Sequence, residues 1–426
     1  MPEDGVACQH NSRMVVSGTY LTRDGRLLFL TRFVRLFSYG MLGIVLVFYL
    51  TGLGLNETQT GLLLTLTLLG DTAVSLVLTT RADRIGRRRM LIVGATLMTG
   101  AGLVFGLTRN FLWLIVAGTI GVISPSGNEV GPFLPIEQAA LSGVISNRIR
   151  TSVFAWYALA GSIATAGGSL FAGTAAGWME KAARTPLASQ RTIILLYAAF
   201  GVVLALVFRA LSPSVEVDRS GPAPPGMHSL LGIGASRGVV LRLCGLFALD
   251  AFGGGFVVQS FAAYWFYLRF GVEPATLGGI FFGANLFAGF SALLASRLAS
   301  RIGLVRTMVF THLPSNVLLI LVPLMPNLRL AVLVLLLRFS ISQMDVPTRQ
   351  SYLMAVVAPE ERAAAAGVTG VARTTGAAIA PLFAGLLFAR PALINVPFFI
   401  AGSLKILYDL LLYRSFVGVQ PPRGDA

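Results

Sequence analysis

Apolar runs recur along this chain with only short polar breaks between them, and nothing else in the sequence limits the fold so sharply. Crossing a hydrocarbon core about 30 Å thick takes ~20 residues of helix. Reading between charged and turn-forming breaks gives twelve runs that approach or exceed that length. Six cover about 27–50, 58–80, 89–108, 111–141, 150–177 and 191–210. Six more cover about 238–268, 274–297, 305–325, 328–352, 363–389 and 393–414. Lipid offers no water to an exposed N–H or C=O, so each run must close its hydrogen bonds internally as a helix. The expectation is an all-α polytopic membrane protein with twelve transmembrane helices. Its polar opening, with Arg13, Arg23, Asp24 and Arg26, is too hydrophilic for a secretory signal.

The charge then needs explaining. Charged residues make up 12% of the chain, about half of the ~25% found in soluble domains. Even so, 33 basic residues against 18 acidic ones leave a net charge of +15. A nucleic-acid binder would carry that charge on a polar surface, and a chain that is 55% hydrophobic has too little of one. With both termini inside, 21 basic residues fall in inside segments and seven in outside segments. This bias follows the positive-inside rule. It predicts an integral protein of the plasma (inner) membrane with both termini cytoplasmic.

The chain also repeats itself. Pro135 to Gly173 aligns without a gap on Pro347 to Gly385 at an offset of 212, with Gln138/Gln350, Leu141/Leu353 and Arg150/Arg362 among the identical pairs. Earlier in each half the offset is 217, as in Gly61/Gly278, Arg84/Arg301 and Gly86/Gly303. Parallel repeats of this kind are one of the known transporter plans. The helices are therefore expected as two six-helix, pseudo-symmetric halves, 1–210 and 238–426. A cytoplasmic linker rich in Pro, Gly and Ser, 211–237, joins them. The offset changes inside span four, where the first half holds five extra residues. The run from Ser124 to Pro132 contains Pro125, Gly127, Gly131 and Pro132, which break helical hydrogen bonding. Irregular backbone at membrane depth survives only against protein or a water-filled cavity. Such breaks often host solute or ions, although a packing kink has the same sequence signature.

The loop after span two reads Thr79, Thr80, Arg81, Ala82, Asp83, Arg84, Ile85, Gly86, Arg87 and Arg88. It resembles the cytoplasmic loop motif of the major facilitator superfamily, G-x-x-x-D-R/K-x-G-R/K-R/K, with Thr79 in place of the leading glycine. A degenerate copy from Ser296 to Gly303 keeps Arg301 and Gly303 and has Ser300 for the acid. Pro359, Glu360, Glu361 and Arg362 resemble the family's P-E-x-R segment. The resemblance extends over the whole chain. It implies a loop motif that latches the two halves on the cytoplasmic face. The gate residues would be Asp83, Arg84, Gly86, Arg87, Arg88, Glu137, Arg150 and Arg362. Gly376, Pro381 and Gly385 in span eleven are similar to a glycine–proline motif that exporters of the family carry in span five, where this chain has Ser169 for the proline. Small residues at that spacing also serve close helix packing.

In the family, spans one, four, seven and ten line the central cavity, and the in-span charges of this chain concentrate there. Arg32 and Arg35 lie in span one, and Asn128, Glu129 and Glu137 in span four. Asp250 and Gln259 lie in span seven, and Arg338, Gln343, Asp345 and Arg349 in span ten. An ionisable group inside a bilayer costs a few kcal/mol or more and is a functional candidate by default. Glu129, Asn128, Asp250, Arg338, Asp345, Gln259 and Arg35 are thus the candidate substrate and coupling residues. Static pairing is the other role open to these charges, above all to Arg32, Arg35, Glu137 and Arg349 near span ends. Asp250 and Glu129 lead as proton-coupling acids, and Asp71 lies in span two, which the family places beside the cavity.

The function these features imply is secondary active transport of a small solute by alternating access, with proton-coupled efflux as one mode. The alternative is a non-transporting receptor or scaffold that keeps the fold. No GxxxxGK[ST] run is present, so no nucleotide-driven pumping is expected. The partners implied are a small-molecule substrate, protons and the lipid bilayer, without nucleic acid. Two cysteines, Cys8 and Cys244, and three scattered histidines, His10, His228 and His312, predict no metal site, no cofactor and no enzymatic constellation.

Overall fold

A computed structural model of the chain describes residues 21–127, 129, 131–145, 150–216, 234, 236–358 and 361–417. Most of the expected linker, with Asn128, Pro359 and Glu360, lies outside the described residues. The described residues are helical and contain no strand. In the first half, α1 (Arg23–Gly52), α2 (Glu57–Ile85) and α3 (Arg87–Leu107) are spans one to three. Span four is split into α4 (Phe111–Ile120) and α5 (Phe133–Val144), and α6 (Arg150–Lys181) and α7 (Pro186–Arg209) complete the half. In the second half, span seven is α8 (Arg237–Gly255) followed by α9 (Gln259–Phe270). Spans eight and nine are α10 (Pro274–Ile302) and α11 (Leu304–Leu321). Span ten is α12 (Leu328–Ser342) followed by α13 (Asp345–Val356), and α14 (Arg362–Phe388) and α15 (Val396–Phe416) close the chain. Eleven stretches are long and apolar enough to cross a membrane, and α4 is a shorter apolar helix. At about 1.5 Å per residue its ten residues reach only half-way across.

Local chemistry sets these boundaries. Asn56 and Gln59 form a reciprocal capping box at the start of α2. Asn110, Thr185 and Asn327 cap α4, α7 and α12 with their side-chain oxygens. Gly86 separates α2 from α3 at φ 124°, and its repeat partner Gly303 separates α10 from α11 at φ 88°. Both angles strain any side chain, so the reversal that turns the chain back into the membrane falls on glycine in each copy.

The repeat explains the split spans. Span ten passes from α12 to α13 across Gln343 and Met344, whereas in span four the described residues between α4 and α5, 121–127, 129, 131 and 132, form no helix. The extra residues of the first half lie in that gap. The expected break in span four is therefore observed, and it is longer than a kink.

The halves meet mainly through two crossings, α2 on α14 and α6 on α10, with a smaller contact of α1 on α9 and α10. Glycines let the backbones touch. A Cβ on Gly61 would sit 2.4 Å from the Pro381 carbonyl oxygen and 2.9 Å from Gly385 Cα. A Cβ on Gly173 would sit 2.3 Å from the Pro274 carbonyl oxygen and 2.8 Å from Gly278 Cα. Gly61 is the repeat equivalent of Gly278, and Gly173 that of Gly385, so the repeat pairs with itself crosswise. Both contacts lie toward the face opposite the arginine-rich loops. On the arginine-rich face, α5 packs on α1, α2 and α3 of its own half, and α13 packs on α10, α11 and α14 of its own. There α6 and α10 part to leave an apolar cleft of about 500 Å³ between Trp156, Leu159, Phe290 and Arg297.

Candidate functional site

The charges of the first half converge on Arg35, whose side chain is fully buried. It donates to both oxygens of Glu137, Nη1 to Oε1 at 2.7 Å and Nη2 to Oε2 at 2.8 Å. It also reaches Glu129 Oε1, at 2.9 Å from Nε. Arg32, one helical turn earlier, donates to Glu129 Oε2 at 2.7 Å and to the Tyr157 carbonyl at 2.7 Å. Glu137 accepts two more hydrogen bonds, from Thr31 Oγ1 at 2.8 Å and from the Tyr157 hydroxyl. Aromatic faces finish the cage, with Arg32 over Tyr157 and Arg35 over Phe133. Two cations and two anions neutralise one another, which is the condition under which charge persists in a low-dielectric interior. Glu129 retains 17% exposure of its side chain and is the member of the cluster that solvent reaches.

The second half builds its counterpart around Asp250 on α8. Oδ1 accepts from Lys405 Nζ of α15 at 2.6 Å, and Oδ2 from Arg349 Nη1 of α13 at 3.3 Å. Arg349 also holds Asp345 at 3.1 Å. His312 of α11 stands 3.7 Å from Asp250 and shares a 2.9 Å hydrogen bond with Asp409, whose other oxygen accepts from Asn316. Asp250, His312 and Asp345 bring one potential ligand atom each within 4.8 Å of one another. Lys405 and Arg349 already supply cations to both carboxylates, so ion pairs fill the role a metal would have. The histidine that looked scattered in sequence belongs to this buried network.

Two arginines of the second half stay outside the pairing. Arg338 lies over the Phe339 ring, and its buried Nε has no hydrogen-bond partner. Arg373 of α14 is exposed and within electrostatic reach of Arg349, Asp250 and Asp345. Neither forms an ion pair among the described residues.

The remaining candidates fall into two groups. Gln259 begins α9 and bridges the halves, donating to Ser169 Oγ at 3.2 Å and accepting from Asn285 at 3.0 Å. Beside it the Ser260 N–H donates to the Pro125 carbonyl at 3.2 Å, so the break in span seven rests on the break in span four. The loop motif is tied into its own half. Asp83 pairs with Arg87 at 2.9 Å, and Arg87 donates to the carbonyls of Ala139 and Val215. Glu216 accepts from the backbone N–H of Arg87 and Arg88 at the start of α3, where the helix dipole favours an anion. The contacts of Asp83, Arg87 and Arg88 thus tie α2, α3, α5 and residue 216 together. Glu137 belongs to the buried cluster rather than to the loops, and Arg362 is exposed at the start of α14. The side chain of Arg150, like Asn128, lies outside the described residues. The sequence shows His312 only as one of three scattered histidines and does not single out Asn316 or Asp409. The spacing of Lys405 and Asp409, one turn apart on an apolar helix, was the signal available.

Residues 28–344 match the family model described as Major Facilitator Superfamily. The chain belongs to the major facilitator superfamily. A relative from Saccharomyces cerevisiae, "Uncharacterized membrane protein YJR124C", is 32% identical over 427 residues, covering 93% of this chain and 95% of the relative. Among solved members of the fold, a bacterial homologue of the human lysosomal transporter Spinster, inward-facing and occupied, matches with a TM-score of 0.72. It is 16% identical, over 94% of this chain and 98% of that one. A D-xylose–proton symporter matches with a TM-score of 0.69 at 14% identity, over 94% and 99%. At those identities the likeness establishes the fold alone. Within the superfamily fold, span one is unbroken here, whereas spans four, seven and ten are each interrupted where the charge clusters gather. As a superfamily member the chain is a membrane transporter and not an enzyme.

Proposed function

We propose that this transporter is a secondary active carrier that moves a small solute by alternating access, with efflux driven by proton entry. The observation that carries the reading is the distribution of contacts. Each half neutralises its own charges internally, while the halves touch each other mainly at the face away from the arginine-rich loops. Two bodies rigid within and joined at one end can rock about the join. The excess of arginine on the other face assigns that face to the cytoplasm. The solute would then enter from the cytoplasm, between the splayed ends of the halves, at a plasma membrane with both termini inside.

Arg338 and Arg373, the cations left without acids, favour a solute that carries negative charge, since Glu129, Asp250 and Asp345 are already held by basic partners of their own. A receptor that merely keeps the fold has no use for unpaired cations at membrane depth, since each costs a few kcal/mol. The test is counterflow in proteoliposomes under an imposed pH gradient, with a panel of small carboxylates, organic phosphates and neutral solutes. At least one anionic solute should exchange, and Arg338→Ala should reduce its uptake at least tenfold. If no solute exchanges, or if neutral solutes alone do so, the reading is wrong.

A further inference from the structure

Among the described residues, six acids lie in the interior of the spans, and five of them have a basic partner. Glu129 has Arg32 and Arg35, Glu137 has Arg35, and Asp345 has Arg349. Asp250 has Lys405 and Arg349, and Asp409 has His312. Asp71, at the middle of α2, is the sixth. It is 6% exposed. Among the described residues, Oδ2 accepts one hydrogen bond, from the Gly131 N–H at 3.0 Å, and Oδ1 is buried with no partner.

We infer that Asp71 is the proton-binding group of the transport cycle, which rests on the carrier reading above and deepens it. A carboxylate in an apolar interior with one donor and no cation is costly to keep ionised, and such a group neutralises by taking a proton. Its surroundings reinforce this. Glu129 and Tyr197 lie close enough to feel its charge. From α1, Tyr39 is within electrostatic reach of it, and Arg35, one turn before Tyr39, is committed to Glu129 and Glu137. Of the other helices on α2, α4 has no ionisable residue, and α3 has only Arg87, Arg88 and Arg89 at its end. Glu137 of α5 is paired with Arg35. On α14 the ionisable residues are Arg362 and Arg373, the latter grouped with Arg349, Asp250 and Asp345.

The partner of Asp71 connects the proton to conformation. Gly131, at φ 81°, ends the non-helical stretch of span four just ahead of α5, and its N–H has no helical acceptor. A hydrogen bond to a carboxylate is roughly twice as strong as one to a neutral acid. A proton delivered by hydronium to Oδ1 weakens that hold and leaves water behind. Release of the proton to water at the other face restores it. The stretch so loosened carries Glu129, which holds Arg32 and Arg35. Proton occupancy at Asp71 thereby sets how firmly span four is gripped by span one.

The experiment uses the full chain in lipid nanodiscs and needs no solute. Infrared difference spectra taken as the pH is raised should lose the carbonyl band of one buried protonated acid. That loss should be absent in Asp71→Asn, shifted in frequency in Asp71→Glu, and unchanged in Asp250→Asn. Spin-label distances between Arg81→Cys and Arg301→Cys, with Cys8 and Cys244 replaced by serine, should change with pH in the parent and not in Asp71→Asn. A titrating band that persists in Asp71→Asn, or parent distances indifferent to pH, would overturn the inference. If Asp71→Asn does not fold, Asp71→Glu decides it, since an unshifted band then assigns the proton elsewhere. A protein that passes these tests yet moves no solute would sink the carrier reading and leave Asp71 as the proton site.

Discussion

At the scale of single residues, the decisive fact is that nearly every interior charge is already answered. Arg35 makes three charge-assisted contacts with two glutamates and stacks on Phe133. Replacing it alone leaves Glu137 fully buried without its cation, and breaking a buried pair this way costs about 3–5 kcal/mol. Arg35→Met should therefore lower the thermal midpoint in detergent markedly. The double variant Arg35→Met/Glu137→Leu should lose less than the single one, because no orphan charge is left behind. A double variant less stable than Arg35→Met would mean that the pair contributes more than its mutual neutralisation. The sequence was informative about which residues are charged at depth, since an acid or arginine inside an apolar run is visible by eye. It was silent about who meets whom. Lys405 finds Asp250 and His312 finds Asp409 only because three helices, α8, α11 and α15, are rotated to face one another, and one-dimensional spacing carries no record of that rotation.

Among elements, the breaks and the crossings were legible to different degrees. Pro125, Gly127, Gly131 and Pro132 announce the break in span four, and the change of repeat offset locates it within that span. The breaks of spans seven and ten pass in two or three residues, and apolar length alone hides them. The glycines at the crossings appeared in the repeat as matched pairs, but their crosswise meeting is a product of how the halves dock. It makes a sharp prediction on two adjacent positions. Gly278 touches Ser169 and Gly173 across the interface, whereas a Cβ on Gly279 meets nothing within 4 Å. Gly278→Leu should wedge α6 from α10 and lengthen label-to-label distances on the face away from the arginine-rich loops. Gly279→Leu should leave those distances unchanged. Equal effects of the two would show that backbone approach is not what fixes this joint. The loop motif taught a different lesson. Its residues were recognisable, but their partners here are Val215 and Glu216, just past span six, which no motif pattern includes.

For the whole molecule, the proposed orientation with both termini inside rests on the arginine bias, and it is testable without any solute. Epitope tags at the two ends should be shielded in intact cells and both become accessible once the membrane is opened from the inside. Tags found on opposite sides would require an odd number of crossings and contradict the twelve-span fold. Replacing Arg84, Arg87, Arg88 and Arg89 together with glutamine should raise the fraction of molecules inserted the wrong way round, read by the same tags, because charge beside short loops steers insertion. One further property belongs to the molecule as a whole. Glu137 and Arg349 occupy equivalent positions in the two copies, yet they carry opposite charge. The base of the first half sits on span one and its acids on span four, while in the second half the acid on span seven meets the base on span ten. At these positions a helix that strayed into the other copy would set Arg35 against Arg349 or Asp250 against Glu137. Like charges brought together away from water repel by several kcal/mol. The reversal thus favours span one on span four over span one on span ten, a matching rule for a chain built from two related units.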